Sequence, residues 1–328
     1  SILAMLTIIQ IFSFFTVLDV LAYKLTASAR STRRLTAIFT ILSIVSAMFL
    51  TNDITVLTLI PLYLTIAKRH NLPEILPVTL IGMGANIGAA FTPWGNPHNI
   101  FVVNSYNVSP LKFFSWSLPL LLVSLIIVLL FIFFVKDKPI PTVPLEDIRI
   151  SVRPMVLTIA VSIFFFFGVF NIVPAYVPAI VAVILALIIN PSIMLHVDYA
   201  LLLTFTCFFI FISDIQQIPF IVTLISKTMF SEHSVFLTSI ISSQFISNVP
   251  STILIGKFTN YAEALFLGSN IGGFGSLVGS MANMLVFKSF VENGTVSKRK
   301  FFWVFSVLEF SGLIILTILG WIVLDFVI

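Results

Sequence analysis

Hydrophobic residues run along this chain in long blocks, and the polar residues that interrupt them fall at a few definite places. Nearly unbroken apolar stretches cover 3–24, 112–135, 152–171, 176–190, 198–213 and 302–326. A helix needs about 20 apolar residues to cross a bilayer. These stretches therefore predict spanning helices, with the short 176–190 segment bounded by Pro178 and Asn190-Pro191. Two others, 75–104 and 262–290, are long enough to cross but carry Gly, Asn and Pro at their centres. They predict discontinuous helices, unwound near 92–97 and 275–280, because Pro removes a helical donor and Gly weakens the helix. Two more, 35–68 and 234–258, break at the polar tips Thr51-Asn52-Asp53 and Ser247-Asn248-Val249-Pro250. Each half, at about 10–16 residues, is short for a crossing. That predicts re-entrant helical hairpins, tolerated at membrane depth only where they pack in protein or line a cavity. The expected fold class is an all-α polytopic membrane protein of about eight spans plus two hairpins.

The interruptions repeat. Gly84-Ala85-Asn86-Ile87-Gly88-Ala89 leads to Gly95-Asn96-Pro97-His98-Asn99, and Gly268-Ser269-Asn270-Ile271-Gly272-Gly273 leads to Gly279-Ser280-Met281-Ala282-Asn283. Gly84 and Gly95 are 11 residues apart, as are Gly268 and Gly279. The tips Asn52 and Asn248 are offset by 196. An odd number of predicted crossings separates the two copies, so they are expected to be inverted. This organises the chain as a first inverted repeat at 1–135 (hairpin 35–68, broken helix 75–104) and a cytoplasmic linker at 136–151. Scaffold helices at 152–190 and the core of a second repeat at 191–328 (hairpin 234–258, broken helix 262–290) complete it. The helices 152–171 and 176–190 have no counterpart ahead of residue 1, so a complete first repeat is expected to need further N-terminal helices. Ser1 to Leu25 is apolar from the start, without a charged leader or cleavage site, and reads as a mature span.

Composition and charge agree with the pattern. The chain is 59% hydrophobic and 9% charged, where soluble domains are about 25% charged. Its single cysteine, Cys207, excludes a disulfide or a cysteine metal cluster within the chain. With hairpins that enter and leave on one side, the basic loops 24–34, 68–70, 136–153 and 298–300 all face the same way, and Lys288 joins them. Lys112, Lys227 and Lys257 face the other. The positive-inside rule makes the first side cytoplasmic, so the pI of about 9.2 is a topology signal and not a nucleic-acid footprint.

A duplicated Gly/Asn/Pro interruption inside hydrophobic sequence points to the binding site of a secondary transporter. Half-helix N-termini there suit an anion and half-helix C-termini a cation. The candidates at the tips are Thr51, Asn52, Asp53, Ser247, Asn248, Val249, Ser251 and Thr252. From the broken helices come Asn86, Thr92, Gly95, Asn96, Asn99, Asn270, Gly275, Ser276, Gly279 and Asn283. Small-xxx-small spacing such as Gly84–Gly88 also serves simple close packing of helices, but two copies with matched spacing and matched upstream Asn breaks favour a site.

Asp53 has two readings: an ion or coupling-proton carrier, as ionisable groups at membrane depth usually are, or a cap for the second hairpin helix. Asp19 and Asp214 read as helix ends at the interface, Glu309 as a partner within the scaffold, and His196 and His233 as interfacial. His98 is placed in the unwound loop as a protonatable or hydrogen-bonding group. No nucleotide-binding P-loop and no His-Glu-x-x-His or nucleophile-elbow pattern is present, which argues against ATP-driven transport by this chain alone and against a membrane enzyme. A channel is the further class that hairpins alone would suit.

The paired tips, each followed by a glycine-asparagine broken helix, resemble the ion transporter superfamily of dicarboxylate symporters, citrate transporters, arsenite permeases and some Na⁺/H⁺ antiporters. Phe49-Leu50-Thr51-Asn52-Asp53 with Thr92-Pro93-Trp94-Gly95-Asn96-Pro97-His98-Asn99 is similar to its arsenite-permease and citrate-transporter-like branch. Ser247-Asn248-Val249-Pro250-Ser251-Thr252 with Gly272-Gly273-Phe274-Gly275 is similar to small bacterial permeases of that branch. The resemblance implies an elevator-type carrier, usually a homodimer, in the inner membrane, that moves a small, anionic, di- or tricarboxylate-like solute with Na⁺ or H⁺. No other cofactor is expected. Na⁺ would be held at Asn52, Gly95, Asn248 and Gly279. The superfamily's Ser-Asn-Thr tips keep their Asn here and lose the final Thr, to Asp53 and Val249. That loss favours, as the alternative, a Na⁺/H⁺ antiporter or arsenite/metalloid efflux permease.

Overall fold

A computed structural model describes residues 2–15, 17–26, 29–140, 152–170, 172–174, 176–215, 217–218, 220, 223 and 227–326. Most of these residues are helical, and among them the one strand-type pairing is an isolated bridge between Ser31 and Pro139. In the N-terminal part come α1 (Ile2–Phe14), α2 (Val17–Thr26), α3 (Thr32–Ala47), α4 (Asn52–His70), α5 (Ile75–Phe91), α6 (Pro97–Tyr106) and α7 (Pro110–Ile132). Then follow α8 (Val152–Val169), α9 (Tyr176–Ile189), α10 (Ser192–Leu195) and α11 (Tyr199–Ile215). The chain closes with α12 (Glu232–Ile246), α13 (Asn248–Gly256), α14 (Ala262–Ile271), α15 (Met281–Asn293) and α16 (Lys298–Phe326).

Among the described residues two helices, α7 and α16, are long and apolar enough to cross a membrane by length and composition. Both are single stretches, as expected. The expected span 3–24 is described as two helices, with residue 16 between them outside the described residues: α1 packs on α8 and α9, α2 on α3 and α4. The stretch 141–151 of the expected linker, with Arg149, and the side chains of Asp19 and Arg153 lie outside the described residues.

Both polar tips separate two helices, α3 from α4 and α12 from α13. Ser31 caps α3 by accepting from the Arg34 N–H, and Ser231 with Ser234 forms a reciprocal capping box on α12. The length expectation needs correction for α4. It has 19 residues rather than 10–16, because the basic turn Lys68-Arg69-His70 continues the helix to a left-handed Asn71 cap. At about 28 Å, α4 is nearly as long as a bilayer's hydrocarbon core, about 30 Å. Length alone therefore does not exclude a crossing by this half.

Helix partners are exchanged in a matched way. α3 lies along α5, and α12 along α14. α4 packs on α15, while α13 packs on α6. Close approach needs glycine at the contact: a Cβ on Gly88 would overlap the Ile44 carbonyl, and one on Gly268 would lie 2.6 Å from the Phe236 oxygen. Around this, Phe113 of α7 and Phe266 of α14 meet edge to face with centroids 5.0 Å apart. At one end of the bundle Glu74 receives the N–H of Thr295 at 2.8 Å and its hydroxyl, which ties the start of α5 to the α15–α16 loop.

Candidate functional site

The first tip begins a helix without a side-chain cap. Thr51 is extended and makes no capping bond, so Asn52 opens α4 and Asp53 lies in its first turn. Asp53 Oδ1 is enclosed with no hydrogen-bond partner, so the capping reading finds no support. At the second tip Ser247 adopts φ 70° and ψ 152°, a region that costs a non-glycine residue about 1–3 kcal/mol. The Asn248 N–H there donates to the Gly279 carbonyl at 2.9 Å. That bond ties the tip of the second pair directly to the second unwound segment.

The two unwound segments are built alike. Thr92–Asn96 separates α5 from α6, and Gly272–Ser280 separates α14 from α15. The second is longer than the expected 275–280. Asn99 donates to the carbonyls of Ala89 at 3.1 Å and Thr92 at 2.9 Å. Asn283 donates to Gly273 at 2.9 Å and Ser276 at 3.0 Å. Thr92 Oγ1 bonds the Met48 carbonyl and Ser276 Oγ the Gln244 carbonyl, which anchors each segment to the helix end before its tip.

Four asparagines join the halves. Asn86 Nδ2 donates to Asn283 Oδ1 at 2.8 Å, and Asn270 Nδ2 to Asn99 Oδ1 at 2.9 Å. Asn52 Nδ2 reaches Asn86 Oδ1 at 3.0 Å, and Ser280 Oγ the same atom at 3.3 Å. His98 is not in the unwound loop. It is the second residue of α6, wholly buried, with Nε2 3.2 Å from Asn270 Oδ1.

A cavity of about 330 Å³ opens where these parts meet. Thr51, Asn52, Asp53, Asn96, Ser247, Asn248 and Val249 all line it, as do Ser280 and Asp198. The charged residues of that lining are Asp53 and Asp198, and they lie within electrostatic reach of one another. Asp198 also caps α11 by accepting the Leu201 N–H at 2.8 Å.

The other expected site residues lie behind the lining. Asn86, Asn99, Asn270 and Asn283 form the buried network, and Thr92 and Ser276 pin the unwound backbone. Ser251 and Thr252 bond Ser242 and the Asn248 carbonyl. Gly95 packs against Ala89 and Thr92, and the Gly279 carbonyl already accepts from Asn248. Gly275 has φ 100° and lies against Gln244 and Leu313. Glu309 is buried in α16, where it faces the backbone of Gly275. His233 pairs with Asp325 at 3.0 Å, His196 bonds the Ser192 carbonyl, and Asp214 is exposed.

Sequence reasoning missed Ser280, Gln244 and Asp198. Ser280 was findable, since it stands opposite Asn96 in the aligned copies. Gln244, which bonds Gly272, Phe274 and Ser276, stands opposite Met48, and nothing in that pairing announces an amide. Asp198 comes from outside both motifs, and its position is set by tertiary packing alone.

The family described as citrate transporter matches residues 1–260, which include both tips and the first unwound segment. The chain belongs to the citrate transporter family. Membership makes it a membrane transporter, and the superfamily resemblance carried by the tips and broken helices holds. Among relatives, the "Uncharacterized transporter MJ0456" of Methanocaldococcus jannaschii is 29% identical over 322 residues, 96% of this chain and 86% of that protein. The "Inner membrane protein YbiR" of Escherichia coli is 27% identical over 310 residues, 93% of this chain and 81% of that protein.

Proposed function

We propose that this chain is a secondary active transporter that moves a small anionic solute, di- or tricarboxylate-like, coupled to Na⁺ or H⁺. The observation that carries the reading is the cavity of about 330 Å³ on which both asparagine tips open. Asn52 and Asn248 present side-chain amides there, and Asn96 and Ser280 begin the second halves of the broken helices. Those helix starts offer partial positive charge to a carboxylate, while the Asp53 carboxylate and amide oxygens offer ligands to a cation. The remaining expected site residues act as supports that fix the lining.

In this reading 35–68 and 234–258 are re-entrant hairpins of an inverted repeat, and the matched hydrogen bonds of the unwound segments support the pairing of the copies. Hairpins and broken helices would move together against the remaining helices in an elevator step, within a homodimer. The inner membrane is the proposed location, with the basic loops cytoplasmic, and YbiR's name supports it.

The test is uptake into liposomes holding the purified protein, driven by an imposed Na⁺ or proton gradient, with citrate and succinate as solutes. Gradient-driven accumulation is expected, and Asn52→Ala and Asn248→Ala should each abolish its cation dependence. Unchanged cation dependence in both variants would sink the assignment.

A second reading, a Na⁺/H⁺ antiporter or an arsenite efflux permease on the same fold, is favoured by one observation. The charged lining residues of the cavity are two carboxylates, Asp53 and Asp198. Na⁺-driven proton movement with no organic solute present, or arsenite flux, would select it.

A further inference from the structure

A second cavity, of about 370 Å³, lies where α5 begins, α7 ends and α16 begins. Leu76, Phe134 and Val304 give it apolar walls, and Lys136 and Lys300 supply two cations. We propose that it binds the headgroup of an anionic phospholipid.

Its depth fits a headgroup. α7 and α16 are each long and apolar enough to cross a membrane, and both change character here. The sequence leaves α7 as Phe133-Phe134-Val135-Lys136 and starts α16 as Lys298-Arg299-Lys300. The cavity thus lies where hydrocarbon gives way to water. Phe134 is 76% exposed beside it, an apolar surface that acyl chains would cover.

Its charge fits as well. Among the described residues the ion pairs are His233–Asp325 and Lys288–Glu292, so neither Lys136 nor Lys300 pairs with a described carboxylate. The cavity's own carboxylate, Glu74, is committed elsewhere, since its oxygens accept the Thr295 N–H, the Thr295 hydroxyl and the Val296 N–H. A phosphodiester between the two lysines would be the missing anion. Basic pockets between spanning helices take lipid headgroups in this way, and Phe134, Leu76 and Val304 are placed to receive the first methylenes.

Thermal melting of the purified detergent-solubilised protein tests this with phosphatidylglycerol, phosphatidylcholine or inorganic phosphate added. Phosphatidylglycerol alone should raise the melting temperature, by about 3 °C or more. The K136Q/K300Q double variant should lose most of that shift, and a K24Q/R69Q control should keep it. Equal shifts from phosphatidylcholine, an equal shift from phosphate, or an undiminished shift in K136Q/K300Q would overturn the proposal. So would loss of the shift in the control. Native mass spectrometry gives a readout independent of stability: the wild-type protein should retain anionic lipid that K136Q/K300Q sheds, and equal retention would overturn the assignment.

Discussion

Asn86 and Asn283 meet through one hydrogen bond of 2.8 Å across 197 residues of chain. The bond has a counterpart, Asn270 to Asn99 at 2.9 Å, and the partners are related by an offset of 184 in sequence. Each accepting asparagine spends its own amide on unwound backbone, Asn99 on Ala89 and Thr92, Asn283 on Gly273 and Ser276. The shape of each broken segment is thereby linked to the opposite half of the chain. A satisfied buried network of this kind specifies one arrangement, and a half-satisfied one penalises it.

Asn86→Ala should therefore destabilise the fold by about 2–3 kcal/mol, since it strips partners from Asn283, Asn52 and Ser280 at once. Asn283→Ala should do the same from the other side. The double variant should lose less than the sum, with a coupling of about 0.5–3 kcal/mol. Denaturant titrations of the four proteins in one detergent check this, and strict additivity would refute the link.

Gly88→Ala should be far worse than its single methyl suggests. The new Cβ would overlap the Ile44 carbonyl, which is backbone and cannot rotate away. Gly312→Ala is the control, because its Cβ would meet the flexible Met83 Cε at 3.2 Å. We expect Gly88→Ala to lose at least about 3 kcal/mol, seen as loss of monodisperse protein on gel filtration, and Gly312→Ala to purify normally.

What was legible in the sequence followed from what the local pattern determines. Unbroken apolar runs gave α7 and α16, and Asn in apolar surroundings marked both tips. Gly and Pro marked both unwound segments, because those residues act through their own backbone. His98 was misplaced although its signal was present: Asn96-Pro97 is a helix start with Pro at the first position, which puts His98 inside α6. The division of 3–24 and the arrival of Asp198 at the cavity had no such local cause. α1 and α2 pack on different partners, and Asp198 reaches the tips only through the fold.

The junction that joins α3 to the end of α7 should respond to acid. The exposed Asp137 accepts the Arg33 backbone N–H at 3.0 Å, and this bond chiefly holds its carboxyl below the usual carboxylate range. A carboxyl held low in the folded state stabilises it above the unfolded-state value, and that help disappears as pH falls through the folded one. Hydrogen exchange at the Arg33 amide should thus gain protection relative to Asp137→Asn near neutral pH and lose that advantage in acid. Equal protection in both proteins at every pH would refute it.

Asp53 and Asp198 should differ in what they contribute to transport, although they share a cavity. Asp53 is rooted in the first turn of α4, with one oxygen enclosed and unpartnered, so a bound cation would satisfy it directly. Asp198 is exposed and already serves as the cap of α11, so solvent screens its charge. Loss of one partner of an enclosed charge pair costs about 3 kcal/mol or more, which is about 100-fold in affinity. Asp53→Asn should therefore raise the half-saturating concentration of the coupling cation by about two orders of magnitude, with the protein still folded. Asp198→Asn should shift it by about tenfold or less. Cation-titrated uptake in liposomes separates the two. A larger effect at Asp198 than at Asp53 would move the cation site toward α11 and away from the first tip.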